Sequence, residues 1–116
     1  MRGDIEMSSG KMASQACHAS RLSMMHYLQK HPERAEEFLD KNSCGSMVVL
    51  KGKKESDLLN AYEQAKSLGF PCAKFEDSGH IHGSDFDGSP VLTAVAFGPA
   101  SKESMRSFTK KFQVMK

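Results

Sequence analysis

The sequence contains no apolar run near the roughly 18 residues that a membrane-spanning helix needs. Its longest uncharged apolar stretch lies around residues 91–97 and is strand-sized. An excess of one charge is also missing. Sixteen Lys and Arg face fourteen Asp and Glu, for a formal net charge of +2. That balance is too mild to announce nucleic-acid binding by charge alone. Cysteine is scarce: Cys17, Cys44 and Cys72 are odd in number, widely spaced and form no Cys-x-x-Cys pair. They read as reduced thiols of a cytoplasmic protein, not as a disulfide framework. The opening Met1-Arg2-Gly3-Asp4 has no apolar core of a signal peptide, and no repeat or low-complexity segment follows. These absences set aside secreted scaffolds, membrane proteins, collagen-like chains and multidomain enzymes. What is present, 39% hydrophobic and 26% charged residues over 116 positions, suits one globular domain spanning 1–116. A domain of that size buries roughly two thirds of its unfolded surface.

Apolar periodicity predicts the elements. Met12, Ala13, Ala16, Cys17, Ala19, Met24, Tyr27 and Leu28 cover a broad arc of a helix over 11–30. So wide an arc predicts packing against a sheet, with Cys17 on the buried side. Pro32 ends that helix, and a short helical turn over 33–39 follows, broken at Lys41-Asn42-Ser43. Residues 46–51 read as a buried strand and 55–68 as a second helix, with Ser56 or Asp57 at its start and Gly69 as its stop. Residues 71–75 and 90–97 read as strands, 76–89 as a long loop, and 101–112 as a third helix with Met105, Phe108 and Phe112 on one face. The order predicts an α/β plan with a mixed sheet.

Several groups could carry chemistry. Lys11, Gln15 and His18, spaced i, i+4 and i+7, lie within about 60° of one helical face. By spacing alone they form a solvated polar stripe or a small polar site. The loop over 76–89 holds Asp77, His80, His82, Asp85 and Asp87. Its His-x-His reads as part of a polar loop more readily than as a metal site, since no second ligand cluster accompanies it. Thirteen or so residues without periodicity is long for a compact domain, and such loops are often functional. Basic clusters at Lys51, Lys53 and Lys54 and at Arg106, Lys110, Lys111 and Lys116 could hold phosphates or simply face solvent.

The residues also resemble a family. Arg2-Gly3-Asp4-Ile5-Glu6-Met7-Ser8-Ser9-Gly10-Lys11-Met12-Ala13-Ser14-Gln15-Ala16-Cys17-His18-Ala19 resembles the N-terminal signature of the archaeal/eukaryotic-type (class II) peptidyl-tRNA hydrolases. Met47-Val48-Val49-Leu50-Lys51, Ala65-Lys66-Ser67-Leu68-Gly69-Phe70 leading to Glu76-Asp77-Ser78-Gly79, and Thr93-Ala94-Val95-Ala96-Phe97-Gly98-Pro99-Ala100 are similar to further family stretches, in the same order. The resemblance implies a mixed four-stranded sheet with helices on both faces. It implies hydrolysis of the ester joining a peptide to the 3′ ribose of tRNA, with no required metal or cofactor. It places Lys11, Asp77 and Thr93 as catalytic residues, with Gln15, His18, His80, Lys51 and Lys110 toward the substrate.

Two departures qualify the match. His80 and Ile81 stand where the family has Arg-Thr, so a site hydroxyl is missing, and the stretch from Asp77 to Thr93 is about four residues longer than the family's pattern. A non-catalytic tRNA- or protein-binding paralogue on the same fold is the alternative they raise. The family's first strand, an apolar run ending near Arg2, is almost absent. Either further residues precede Met1, or the strand is a stub whose slot a partner chain fills, and a homodimer is one such assembly. For an enzyme, the expected division of labour is as follows. Asp77 orients or deprotonates the water, directly or through His18 or His80. Lys11 and the helix N-terminus supply positive charge, and Thr93 donates a hydrogen bond. The basic clusters hold tRNA phosphates.

Overall fold

The structure, a computed structural model, describes residues 1–40, 45–77 and 90–115. Helix α1 spans Ser9–Lys30, α2 Glu55–Ser67 and α3 Lys102–Thr109, and strands are β1 Leu50–Lys51, β2 Cys72–Asp77, β3 Val91–Phe97 and β4 Gln113–Val114. Two 3-10 turns, Pro32–Arg34 and Glu36–Leu39, fill the stretch read as a short helical turn. The mixed α/β class predicted from the sequence is the one observed.

Local chemistry explains the helix ends. The Ser8 hydroxyl accepts from the Lys11 N–H at 3.2 Å, satisfying one orphan donor of α1. Helix α2 starts from Lys54, not from Ser56 or Asp57. Asp57 sits inside the first turn, and its carboxylate accepts from the backbone N–H groups of Lys53 and Lys54 at 3.0 and 3.2 Å. Gly69, at φ +83°, ends α2 as the sequence predicts. Its N–H donates to Lys66 O and that of Phe70 to Ala65 O, at 3.1 and 3.0 Å, a double closure that needs the left-handed conformation.

The strands depart further from expectation. Among the described residues they form two antiparallel ribbons, β1 with β4 and β2 with β3, not a continuous four-stranded sheet. Residues 46–49 lie outside β1, and Met47 and Val48 are exposed. A strand needs a partner for its backbone groups. Only Val49 O finds one there, accepting from Met115 N at 2.8 Å. Residues 1–3 stitch the two ribbons together. Arg2 N donates to Thr93 O at 2.9 Å, Gly3 N to Gly52 O at 2.7 Å, and Gly52 N to Met1 O at 2.8 Å, with Arg2 and Gly52 in a parallel bridge. The buried Arg2 guanidinium is compensated by a two-point ion pair with Asp4 at 2.7 and 2.8 Å and by Leu92 O at 3.1 Å.

Helices α1 and α2 both pack on the β2–β3 ribbon and do not touch each other, which places them on opposite faces. On the α1 face Ala19 and Ala94 meet Met1, with Met12, Ala16 and Phe75 around them. On the other face Leu58, Ala61 and Ala65 of α2 are buried, and Phe108 of α3 packs against Phe70 and Phe97, ring centroids 5.6 and 5.1 Å away. Cys17 corrects the sequence reading: it is exposed, because the packed stripe runs through Gln15, Ala19 and Ser23. No helix among the described residues is long and apolar enough to cross a membrane.

Candidate active site

Helix α1 and the β2–β3 ribbon bring five of the expected residues into one neighbourhood. Lys11, in the first turn of α1, places its Nζ 3.0 Å from Asp77 Oδ2 at the end of β2. The two side chains retain 33% and 17% of their exposure, so the ion pair is sheltered yet open to a ligand. One turn along, Gln15 is buried, and its Oε1 accepts from the Thr93 hydroxyl at 2.6 Å. Thr93 owes its direction to an irregularity. The β2–β3 register shifts between Phe75 and Glu76, so Thr93 has no Cα partner on β2 while Ala94 and Leu92 on either side do. Such a bulge re-aims a side chain, and here it sends the hydroxyl to α1.

His18 completes the row. Its ring stacks on Phe75 at 4.7 Å and 11°. Arg21 Nη2 lies 2.8 Å from His18 Nδ1. A guanidinium has no lone pair to offer, so Nδ1 is the acceptor and the ring proton sits on Nε2. The imidazole thus keeps an N–H donor on its other ring nitrogen.

Other expected residues lie elsewhere. Lys51 is exposed on β1 and Lys110 is exposed at the C-terminal cap of α3. Neither element carries any of the five residues above. His80, Ile81 and His82, with the rest of 78–89, Cys44 and the break at Lys41-Asn42-Ser43 lie outside the described residues. Among the described residues no group of three His, Cys, Asp or Glu could hold a metal ion. Cys72 is half-buried on β2, and burial pushes its thiol pKa up, away from a reactive thiolate. A cleft of about 1060 Å³ is lined by Ala19, Met24, Val49, Leu50, Ala94 and Ala96 among others, and by none of the five. The sequence reading missed the Arg21 contact and the Gln15–Thr93 bond. Arg21 follows His18 at i+3 and could have been found by spacing. The second needs the bulge.

A carboxylate, an ammonium, a buried amide–hydroxyl pair and an imidazole along one face of α1 can support acid–base and electrostatic chemistry, in a domain of the mixed α/β class. Comparison with known proteins gives the family. Residues 1–115 match the family described as Peptidyl-tRNA hydrolase PTH2. The peptidyl-tRNA hydrolase of Methanocaldococcus jannaschii is 31% identical, covering 99% of this chain and 95% of its own. That of Methanococcus maripaludis strain C7 is 33% identical over 99% and 94%, and that of Sulfolobus acidocaldarius 26% over 99% and 95%. The chain belongs to the PTH2 peptidyl-tRNA hydrolase family.

Proposed function

We propose that the chain cleaves the ester between a peptide and the 3′ ribose of tRNA, using Lys11 and Asp77 as its catalytic pair, with Thr93 supporting the site from β3. The observation that carries this is the Lys11–Asp77 ion pair at 3.0 Å, in the first turn of α1, within a chain of this family. The Asp77 carboxylate orients the attacking water and takes its proton. Lys11 and the N-terminus of α1 place positive charge where the carbonyl oxygen becomes negative. His18, with its proton on Nε2, contacts substrate as a donor. Lys51 and Lys110 reach phosphates of the tRNA. Phosphate contacts of this kind position the substrate without reading sequence.

Hydrolysis of an N-blocked aminoacyl-tRNA tests the reading, with Asp77→Asn as the control. General-base loss lowers kcat by about 10²–10⁴-fold. Full cleavage by Asp77→Asn would refute the assignment. An inert wild-type chain that still binds tRNA would favour the binding paralogue.

A further inference from the structure

We propose that the Gln15 carboxamide is the hydrogen-bond donor to the developing oxyanion, and that Thr93 is not in contact with substrate but positions Gln15. The inference rests on the ester-hydrolase reading above and assigns a role within the same site.

Thr93 has no accessible surface. Its hydroxyl proton is committed to Gln15 Oε1 at 2.6 Å, and its carbonyl accepts from Arg2 N at 2.9 Å. A side chain that no ligand can reach, with its only proton already donated, does not donate to substrate. Gln15 differs. It keeps 6% of its surface, and its Oε1 is occupied by Thr93. A primary amide carries two N–H donors on nitrogen, and those of Gln15 have no acceptor among the described residues. A buried donor left unmade is costly, and such a group in a native fold calls for a ligand that accepts from it. The hydroxyl–amide bond also settles which end of the amide faces Thr93, so the Nε2 side is held away from it.

The location fits the chemistry. Gln15 lies one helical turn from Lys11, whose ammonium is 3.0 Å from Asp77. His18, three residues further, stacks on Phe75, which pairs with Ala94, the neighbour of Thr93. In the reaction the water oxygen bonds to the ester carbonyl carbon while its proton passes to the Asp77 carboxylate. The carbonyl oxygen takes the electron pair as an oxyanion and accepts from Gln15 Nε2–H. As the tetrahedral carbon collapses, its bond to the 3′ oxygen breaks and that oxygen leaves with the proton from Asp77. The products are a peptide acid and a free ribose hydroxyl. An amide held in place donates without titrating and needs no reorganisation as charge develops, the property an oxyanion donor requires.

Steady-state cleavage of an N-blocked aminoacyl-tRNA, with thermal melts of every variant, tests the assignment. Gln15→Met keeps length and loses the donor. It should lower kcat by about 10²–10³-fold with KM within about threefold. Gln15→Glu keeps the acceptor that Thr93 needs, which guards against a simple folding failure. Its rate relative to wild type should climb as the pH falls and the new carboxyl regains a proton to donate, a profile that a structural role would not produce. Thr93→Val should lose kcat, and Thr93→Ser should keep it within about threefold. Gln15→Met with kcat within threefold of wild type, a loss confined to KM, a flat Gln15→Glu ratio, or Thr93→Ser as impaired as Thr93→Val would each overturn the proposal. If Asp77→Asn behaves as expected while Gln15→Met stays active, this proposal alone fails. If the wild-type chain does not cleave the ester, the functional reading fails and takes the proposal with it.

Discussion

At Gly52 the backbone has no room for a side chain. A Cβ there would overlap Leu58 Cδ1, and Leu58, 3% exposed in the α2 face of the core, cannot swing away. Gly52→Ala should therefore cost about 1–3 kcal/mol, the usual range for overpacking, read as a lower denaturant midpoint at unchanged slope. Asp4 offers a test by pH. The Arg2 guanidinium bonded to its carboxylate holds the Asp4 pKa below the ordinary value. A carboxyl depressed in the folded state binds fewer protons there than when unfolded. The stability it adds is thus present above the unfolded pKa, near 3.9, and is lost as the pH falls through the lower folded value. The wild type should exceed Asp4→Asn in unfolding free energy at neutral pH, and the gap should close below about pH 4 in urea titrations. Site identity at this scale was partly legible. Lys11, Gln15 and His18 stand out by their i, i+4, i+7 spacing, and the family signature adds Asp77 and Thr93. The burial of Thr93 was not legible, because it goes with a register shift that no residue pattern in β3 announces.

Among the elements, helices were read well and strands poorly, for a physical reason. Helix α1 is written locally, in the Ser8 cap and a 3.6-residue stripe, and α2 ends at Gly69 as its glycine predicts. A strand exists only with its partner, and pairing is not local. The apolar run at 46–51 looks like a strand, yet only Leu50–Lys51 pairs, against the two residues of β4 that apolar periodicity had not marked. The local character of α1 carries a prediction. Ser8→Ala removes the acceptor for Lys11 N and should cost about 1 kcal/mol. Because the lost bond orders the turn that presents Lys11 to Asp77, kcat should fall with stability. Ser8→Asp, which restores the acceptor and suits the helix dipole, should recover both. Thermal unfolding and turnover measured on the same preparations check the pairing of the two effects.

The whole molecule divides its labour between the two faces of the β2–β3 ribbon. The α1 face holds Lys11, Gln15, His18 and their strand partners, while the opposite face is an apolar lock in which α2 and α3 close over Phe70, Phe97 and Phe108. Among the described residues helix α1 does not pack against α2 or α3, so the faces are joined by the ribbon and by Arg2, whose guanidinium lies 3.6 Å from Glu55 of α2. Phe108 has no accessible surface, and its truncation to Ala should cost about 3–5 kcal/mol in lost transfer and cavity energy. That is a large share of the 5–15 kcal/mol that holds a typical domain together. Close packing transmits strain, but the ribbon's own hydrogen bonds, the buried Gln15–Thr93 bond and the Arg2 stitch do not involve Phe108. Phe108→Ala should accordingly melt at a much lower temperature and yet turn over substrate with kcat within about twofold of wild type when assayed well below its melting point. Gln15→Met should lose less stability than Phe108→Ala, about 1–3 kcal/mol for the stranded Thr93 hydroxyl, and far more kcat. If Phe108→Ala loses turnover while still folded, the two faces are coupled and the site depends on the packing of the far side.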